Sequence, residues 1–468
     1  MHPQGTTASG PELLIELRRE RGRPLRAQLE EGLREAVRGG RLMAGAPLPS
    51  SRTLARDLGV SRRLVVEAFA QLAAEGYLVS TQGAPTRVAA RAATPSTAAL
   101  PDEPPAPRFD FRPGAPDVAL FPRTAWATAL RQALRDAPDA RFSYSDPRGT
   151  PELRTALATY LGRVRGVAAE PATIMVTSGL TQGLALTCRA LAARGVRRVG
   201  VEEPGSADLR APIATVGLEW VPIAVDGGGL DVGALDRADV GAVLVTPAHQ
   251  YPTGVVLGPE RRAALLAWAA DRDAFVLEDD YDAEYRYDRQ PVGALQGLDP
   301  ERVAYMSSIS KTVAPALRVG WLVAPPALAE AIQREKLDDD RGTPVLTQLG
   351  LAVLLERGEL DRHVRSSRLV YRRRRDVLIA ALERELPELR PRGAAAGLHL
   401  LVDLPAEVDE GALVAAARAR GVGLDSLAPH TARPHPPAVI LGYGRIAEPA
   451  IDPGVRALAA ATQAVTPS

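Results

Sequence analysis

Two lysines, Lys311 and Lys336, stand among the 57 basic residues of this 468-residue chain, and every other basic residue is arginine. Arginine supplies positive charge as well as lysine does, but only a primary amine condenses with a carbonyl to form a Schiff base. Three serines precede Lys311, and Arg318 follows it. Hydroxyls and a guanidinium beside such an amine suit a phosphate. Lys311 is therefore predicted to be a reactive amine, whereas Lys336 is interpreted as one charge of a solvated helix face.

Two polar segments follow apolar runs that have the length of buried strands. Residues 177–182 open a predicted helix, where free backbone N–H groups and hydroxyls make a seat for an anion. Residues 278–287 carry several acids beside three tyrosines. A solvated turn is the alternative for an acidic strand end, but the tyrosines favour a binding site. Both segments are interpreted as parts of the same site as Lys311.

Residues 310–320 read Ser-Lys-x-x-x-Pro-x-Leu-Arg-x-Gly, which resembles the lysine motif of fold-type I pyridoxal-phosphate (PLP) enzymes. Residues 144–149 and 246–254 resemble further blocks of that family. The resemblance implies PLP bound as an aldimine to Lys311, with Asp279 under the ring nitrogen and Tyr281 on the ring's phenolic oxygen. Asp280 remains a competitor for the ring-nitrogen role. The cofactor residues that it implies are Ser178, Gly179, Leu180, Asp279, Tyr281, Ser308, Ser310, Lys311 and Arg318.

The N-terminal part carries the pattern of a DNA-binding module. Apolar residues at helical spacing end at two glycines near position 40, and two short predicted helices then flank a tight turn at Gly59. Ser50 or Ser51 would cap the first of them and Ser61 the second. Residues 78–81 and 86–89 alternate with period two and can pair as a wing. Residues 41–91 hold seven arginines against three acids, a surplus that suits DNA phosphates.

Residues 40–62 read Gly-x-Leu-x-x-Gly-x-x-Leu-Pro-Ser-Ser-Arg-x-Leu-Ala-x-x-Leu-Gly-Val-Ser-Arg, which resembles the winged helix of the GntR family. The resemblance implies double-stranded promoter DNA as a partner, since the start of the second helix of a helix-turn-helix meets DNA. A three-helix packing module without nucleic acid is the alternative. The residues expected at the DNA are Arg52, Ser61, Arg62 and Arg63.

A proline-rich stretch, residues 92–108, separates two domains. Its five prolines exclude a helix or strand, so an extended linker is predicted. The N-terminal domain spans residues 11–91. Apolar strands alternate with helical stretches across residues 109–468, which indicates an α/β architecture. Because helices dominate residues 348–386, this second domain is divided into a large part, residues 109–345, and a C-terminal subdomain, residues 346–468.

Strands and helices of the second domain can be placed from the apolar pattern. Strands are predicted at residues 173–176, 199–201, 218–222, 242–246, 275–278, 303–307, 398–403 and 438–443, and helices at residues 180–194 and 259–271. The arginine run at residues 371–375 is interpreted as a solvated helix face. Cys188 is the only cysteine, which excludes an internal disulfide and a cysteine metal cluster. No apolar run approaches the ~20 residues of a membrane span and no signal peptide is evident, so a cytoplasmic protein without a membrane partner is expected.

The pairing of a winged helix with an aminotransferase-like domain resembles the MocR (GabR-like) subfamily of bacterial transcription regulators. The resemblance implies a domain-swapped homodimer, in which each winged helix lies against the partner's large domain. It also implies a PLP-dependent, sequence-specific DNA-binding regulator that senses PLP or an amine or amino-acid effector. The alternatives are a catalytically active aminotransferase with a DNA-binding module, and a constitutive DNA-binding protein with a degenerate cofactor domain.

Departures from the family pattern lie on the substrate side. Ser206 stands where the family usually has an aromatic residue, and Tyr251 stands where aminotransferases usually have asparagine. The late strand at residues 438–443 lacks the arginine that binds a substrate carboxylate; Arg433 and Arg445 flank it and are the candidates for an effector carboxylate. Weak or no transaminase activity is therefore expected. No metal is expected either, because His249 has no neighbour with ligand spacing in the sequence.

Overall fold

The computed structural model describes residues 15–19, 22–81, 84–90, 106–288, 292–393 and 395–466. The chain divides into two compact units, residues 1–104 and residues 105–468. Most of the predicted linker, and the turn of the predicted wing at Gln82 and Gly83, lie outside the described residues. Across the described ranges, no helix is both long enough and apolar enough to cross a membrane.

The N-terminal unit is a winged helix. It contains α1 (Leu25–Arg38), α2 (Ser51–Asp57), α3 (Arg62–Ala74) and the antiparallel pair β1 (Leu78–Val79) and β2 (Arg87–Val88). The hydroxyls of Ser50 and Ser61 accept hydrogen bonds from Thr53 N–H and Leu64 N–H, so the predicted caps of α2 and α3 are confirmed. Gly59 has φ +63°, the left-handed conformation that the turn between α2 and α3 requires.

The C-terminal unit contains the remaining regular elements. Its strands are β3 (Phe109–Asp110), β4 (Ile174–Thr177), β5 (Arg198–Glu203), β6 (Glu219–Asp226), β7 (Gly229–Leu230), β8 (Ala242–Val245), β9 (Phe275–Asp279), β10 (Val303–Ser308), β11 (Gly320–Val323), β12 (Arg390–Arg392), β13 (His399–Asp403), β14 (Val422–Gly423), β15 (Asp425–Ser426) and β16 (Ala438–Gly442). Its α-helices are α4 (Arg123–Asp136), α5 (Pro151–Arg165), α6 (Leu180–Ala193), α7 (Arg210–Thr215), α8 (Val232–Arg237), α9 (Pro259–Asp271), α10 (Pro326–Asp339), α11 (Val345–Glu356), α12 (Glu359–Glu385), α13 (Glu410–Ala419) and α14 (Glu448–Val465).

An eight-stranded sheet in the order β4-β11-β10-β9-β8-β5-β6-β7 forms the large part of this unit. The strands from β10 through β6 in that order are parallel to their neighbours, and β11 is antiparallel to both β10 and β4. All six strands predicted for this region are confirmed, with bounds that shift by a few residues, and β7 and β11 were not predicted. The carboxyl ends of the parallel strands meet at one edge, which is where ligands bind to such sheets.

The C-terminal subdomain has its own sheet, in the order β12-β13-β16-β15, with antiparallel neighbours. Both strands predicted here are confirmed as β13 and β16. The short strand β3 pairs with β14, and the rings of Phe109 and Phe111 lie in the apolar core of the subdomain. These residues were predicted to belong to the large part, whereas their buried aromatic rings attach them to the subdomain.

The interpretation of Lys336 as solvated is wrong, and the interpretation of the arginine run as a solvated face is wrong in part. Lys336 lies on α10, and its side chain has an exposed fraction of 0%. In the arginine run on α12, Arg374 is buried and pairs with Asp117 at 2.6 Å, while Tyr371 packs into the core. Arg373 of the same run is exposed, as predicted. A charged side chain is buried only where partners meet it, and those partners are distant in sequence.

Candidate functional site

A cleft of about 630 Å³ opens where the parallel strands of the large sheet end. The segments after β4, β5, β8, β9 and β10 form part of its wall, and the C-terminal subdomain supplies the rest. Ser178 is half-buried and lies just before the lining residues. The predicted cofactor residues that line the cleft are Gly179, Leu180, Asp279, Tyr281, Ser308, Ser310, Lys311 and Arg318.

The amine of Lys311 lies in this cleft, on the segment that follows β10. Its Nζ donates a hydrogen bond to the backbone carbonyl of Gly114. Burial lowers the pKa of Lys311 below its ordinary value, although the nearby carboxylate of Asp279 opposes this effect. A lowered pKa increases the share of neutral amine, which is the form that attacks a carbonyl. The environment therefore suits the nucleophilic role predicted from the sequence.

Asp279 ends β9, is buried, and lines the cleft. Its Oδ1 has no hydrogen-bond partner among the described residues. Burial, and next the charge of Asp280, raise the pKa of Asp279 well above its ordinary value. An ionised carboxylate in such a place needs a cationic or hydrogen-bonding partner. The atom is therefore poised to meet a protonated nitrogen of a bound ring.

Asp280, the competing carboxylate, already has strong partners. Its two oxygens accept hydrogen bonds from the guanidinium of Arg165 at 2.7 and 3.0 Å, and the hydroxyl of Tyr305 donates to it at 2.6 Å. Asp280 and Arg165 each expose only 2% of their side chains, and Asp280 is not among the cleft-lining residues. The geometry favours Asp279 over Asp280 for the ring-nitrogen role that the sequence left open.

An anion seat lies where β4 leads into α6. Gly179 has φ +142°, and a Cβ at this position would lie only 3.1 Å from Nη2 of Arg318. Glycine therefore lets the Arg318 guanidinium approach the start of α6, which carries the positive end of the helix dipole. Arg318 itself has φ +50°, a conformation that costs energy for a non-glycine residue. Within the described ranges this guanidinium has no ion pair or hydrogen bond, and it lines the cleft beside Gly179, so the seat can take an anion.

Tyr281 is backed by a histidine and a carboxylate. Its hydroxyl oxygen lies 3.0 Å from Nδ1 of His249, and the same nitrogen lies 3.0 Å from Oδ2 of Asp282. An ionised carboxylate only accepts hydrogen bonds, so the Nδ1 proton of His249 is directed at Asp282 and Tyr281. The hydroxyl proton of Tyr281 is then left to donate into the cleft. This arrangement suits the predicted hydrogen bond from Tyr281 to a phenolic oxygen.

His249 has no neighbour with metal-ligand spacing in the sequence, but the fold places two residues with possible ligand atoms beside it. The ligand atoms of His249, Asp282 and His399 lie within 4.8 Å of one another, and all three residues are buried. Strand β13 brings His399 next to His249 across 150 residues of chain, which no local spacing could show. Nε2 of His399 lies 3.2 Å from the backbone carbonyl of Pro252. Hydrogen bonds thus account for this group without an ion.

The structure also places the residues at which the sequence departs from the substrate-binding pattern of aminotransferases. Ser206 and Tyr251 both line the cleft, whereas Arg433 and Arg445 do not. Both arginines are exposed: Arg433 donates to the backbone carbonyl of Pro222 at 3.3 Å, and Arg445 lies 3.4 Å from a carboxylate oxygen of Asp110. Five polar residues of the subdomain that line the cleft were not predicted, because no sequence motif marks them: His399, Arg418, Asp425, Ser426 and His430.

Glu202 lies on β5 and is buried, and its titration is expected to make the stability of the folded protein depend on pH. It accepts hydrogen bonds from N–H and Oγ1 of Thr246 at 3.1 and 2.5 Å. Burial raises the pKa of Glu202 from 4.5 to about 7, and the hydrogen bonds from Thr246 and Gln250 oppose this rise. Because the folded-state pKa is raised, the stability that this group contributes is present below pH ~4.5 and is lost as pH rises through about 7.

Glu202→Gln keeps the side-chain shape and removes the titration. The stability of the natural protein relative to this variant is therefore expected to fall by about 2 kcal/mol between pH 5.5 and pH 8. Chemical unfolding of both proteins at the two pH values measures this difference. Glu219→Gln, at an exposed position on the neighbouring strand β6, is the control and should show no such change. A pH-independent difference for Glu202→Gln would contradict the prediction.

The four residues predicted to meet DNA lie at one end of α3 and at the start of α2. Arg62 and Arg63 are the first residues of α3, Ser61 caps it, and Arg52 is the second residue of α2; all four are exposed. The side chain of Arg63 is 88% exposed and pairs with Glu67 at 2.7 Å. The residues form an open cationic end of the recognition helix, which suits contact with phosphates and base edges.

Comparison with known proteins gives a match for each unit. Residues 25–88 match the model "Bacterial regulatory proteins, gntR family", and residues 113–438 match "Aminotransferase class I and II". The chain is similar to the pyridoxine biosynthesis transcriptional regulator PdxR of Corynebacterium glutamicum, with 36% identity over 86% of this chain and 87% of the relative. It is also similar to the probable rhizopine catabolism regulatory protein MocR of Rhizobium meliloti, with 33% identity over 97% of both chains.

Solved structures of aminotransferases are similar in fold to about three quarters of this chain. The kynurenine aminotransferase of Pyrococcus horikoshii superimposes with a TM-score of 0.71 and 26% identity, over 77% of this chain and 92% of the enzyme. An archaeal alanine:glyoxylate aminotransferase gives the same TM-score and identity over 76% of this chain. The predicted fold, a winged helix joined to a fold-type I aminotransferase-like domain, is thereby confirmed.

Proposed function

This chain belongs to the MocR-like subfamily of GntR-family transcription regulators, and from that premise we propose that it regulates transcription in response to PLP. In this proposal the N-terminal unit binds a promoter operator, and the C-terminal unit binds PLP through Lys311. The observation that supports the proposal most directly is the set of side-chain groups that line one cleft. A half-buried amine, a buried carboxylate oxygen without a described partner, and a guanidinium without a described anion all face it.

The residues of the cleft fit the chemistry of PLP. When bound, PLP supplies an aldehyde and an electron-withdrawing pyridine ring. Lys311 contributes the primary amine, Asp279 holds a proton on the ring nitrogen, and Tyr281 donates to the phenolic oxygen. The positive end of α6 and the Arg318 guanidinium balance the charge of the phosphate. The residues proposed to complete this phosphate seat are Ser178, Gly179, Leu180, Ser308 and Ser310.

We propose that the cleft senses its ligand and does not turn over amino acids at ordinary rates. An aminotransferase must orient the substrate carboxylate as well as hold the cofactor. The flanking arginines Arg433 and Arg445 lie outside the cleft lining, and the small Ser206 stands at a lining position. PLP is the leading effector candidate, supported by the similarity to a regulator named for pyridoxine biosynthesis. An amine or amino acid is second, and an active aminotransferase with a DNA module is the alternative.

The proposed assembly is a domain-swapped homodimer that works on DNA in the cytoplasm. The resemblance to the subfamily suggests this assembly. The exposed aromatic rings at Phe142 and Tyr144, with exposed fractions of 55% and 91%, support a contact with a second copy. Single exposed apolar residues are common, but two large rings two positions apart fit an interface better than a solvated loop.

DNA binding measured with and without PLP tests the proposal. Footprinting on the DNA upstream of the protein's own gene is expected to show a protected site whose affinity changes when PLP alone is added. Common amino acids and ω-amines, each with a keto-acid acceptor, are then screened for product. Multiple turnover at ~1 per second or faster would favour the aminotransferase. If neither PLP nor any amine changed the affinity for DNA, the proposal that the cleft is a sensor would be overturned.

A further inference from the structure

Lys336, the second of the two lysines, is buried outside the cleft lining, on α10. Its Nζ donates to three oxygens: Oε1 of Gln182 at 3.0 Å, Oδ2 of Asp340 at 2.6 Å and Oγ1 of Thr343 at 3.1 Å. An ammonium group has three N–H donors and no acceptor, so every donor has a partner here. A guanidinium has five donors in a planar fork, and two of them would be left without partners in this space.

Gln182 links this lysine to the anion seat. Its Oε1 accepts the backbone N–H of Ser178 at 2.8 Å as well as Nζ of Lys336. Its Nε2 donates to Asp339 at 2.7 Å and to Asp340 at 2.8 Å. Ser178 directly precedes Gly179, so this amide fixes the backbone immediately before the start of α6. The N–H groups of the first turn of α6 are thereby held in position to face an anion.

A second link reaches the strand that leads into the same turn. The hydroxyl of Thr343 accepts from Lys336 and donates to the backbone carbonyl of Val176 at 3.3 Å. Val176 belongs to β4, two residues before Ser178. Lys336 therefore connects to both sides of the β4–α6 turn through one intermediate side chain each. Asp340 supplies the negative charge that makes the buried ammonium tolerable.

We propose that Lys336 is a positioning residue for the phosphate of PLP, acting through Gln182 and Thr343 on the turn that carries Gly179. This inference rests on the proposed PLP binding and deepens it. Its effect is confined to the phosphate, because Lys336 and its three partners bond to the turn and to one another. None of the four residues is among those that surround the ring-binding groups Asp279, Tyr281 and Lys311.

Affinity for PLP compared with affinity for pyridoxal, which lacks the phosphate, tests the proposal. Lys336→Met and Lys336→Arg are each expected to weaken PLP binding by about tenfold while pyridoxal binding stays within about twofold. Arg334→Met is the matched control, since it removes one positive charge from the same helix at a side chain that is 70% exposed. It should change neither affinity. Absorbance titration with PLP and with pyridoxal measures both affinities for the full-length natural protein and for each of the three variants.

A double-variant cycle tests the route through Gln182. Gln182→Leu is expected to cause a similar loss of PLP affinity, and adding Lys336→Met to it should cost little more, because both act on the same turn. Thr343→Val removes one hydroxyl, which accepts from Lys336 and donates to Val176, and it serves as the milder variant if Lys336→Met does not fold, as checked by thermal unfolding. It should also lower the preference for PLP over pyridoxal.

The failures of the two proposals are distinguishable. If the natural protein binds neither PLP nor pyridoxal, the proposed cofactor site is overturned and this inference with it. If the natural protein prefers PLP and the variants keep that preference, the positioning role of Lys336 is overturned while the proposed function stands. Equal losses for both ligands would likewise overturn it, because a general structural role would not single out the phosphate.

Discussion

Lys311→Ala is expected to abolish covalent attachment of PLP completely. The natural protein mixed with PLP should show a visible absorbance band, and borohydride should fix the cofactor to the peptide that contains Lys311. No other side chain can replace this amine, because arginine does not condense with a carbonyl under these conditions. Lys336 is the one other lysine and has no exposed surface. Peptide mapping after reduction is therefore unambiguous in this chain.

Two variants separate the chemistry of Lys311 from its charge. Lys311→Arg keeps a positive charge beside Asp279 and should lose the band as completely as Lys311→Ala does. Lys336→Arg keeps Lys311 and should keep the band when PLP is in excess. Both Lys311 variants should still bind DNA, but that binding should no longer respond to PLP. A reduced, labelled peptide from Lys311→Ala would show that the assignment is wrong.

The parts of the site that form motifs could be predicted from the sequence. The residues around Lys311 lie within eleven consecutive positions, so their types and spacing indicated an amine beside groups that suit a phosphate. Buried parallel strands also have a strong signature, namely short apolar runs between helical stretches, and these strands were found close to their true bounds. The strands β7 and β11 were missed: β7 has only two residues, and β11 has four and begins at Gly320, the last residue of the lysine motif.

Other parts depend on contacts between distant segments. The roles of Asp279 and Asp280 could not be separated in the sequence, because Arg165 on α5 and Tyr305 on β10 determine which carboxylate has partners. Lys336 was misread for the same reason. Its partners come from α6 and from the segment after α10, and nothing in a local window shows that they converge on one ammonium. Burial of a charge is a tertiary property, so it needs the fold.

DNA binding is expected to weaken by about 3 kcal/mol, ~100-fold or more, when Arg62 and Arg63 are both replaced by alanine. The two residues begin α3, and Ser61 caps the helix before them, so both lie at the end of the helix that meets the major groove in helix-turn-helix proteins. A bidentate contact to a base contributes ~1–3 kcal/mol, and each phosphate contact adds to the salt dependence. Operator titrations at several salt concentrations measure both effects.

The ion pair between Arg63 and Glu67 provides a control variant that is not expected to weaken DNA binding. Glu67 holds the Arg63 guanidinium at 2.7 Å on the exposed face of α3, and DNA must compete with it for that group. Glu67→Gln removes the competing charge, so DNA should bind at least as tightly as it does to the natural protein. The absorbance of bound PLP should be the same in all these variants, since the changes lie in the other unit. If the double arginine variant bound the operator with unchanged affinity and unchanged salt dependence, the prediction that the start of α3 contacts DNA would be wrong.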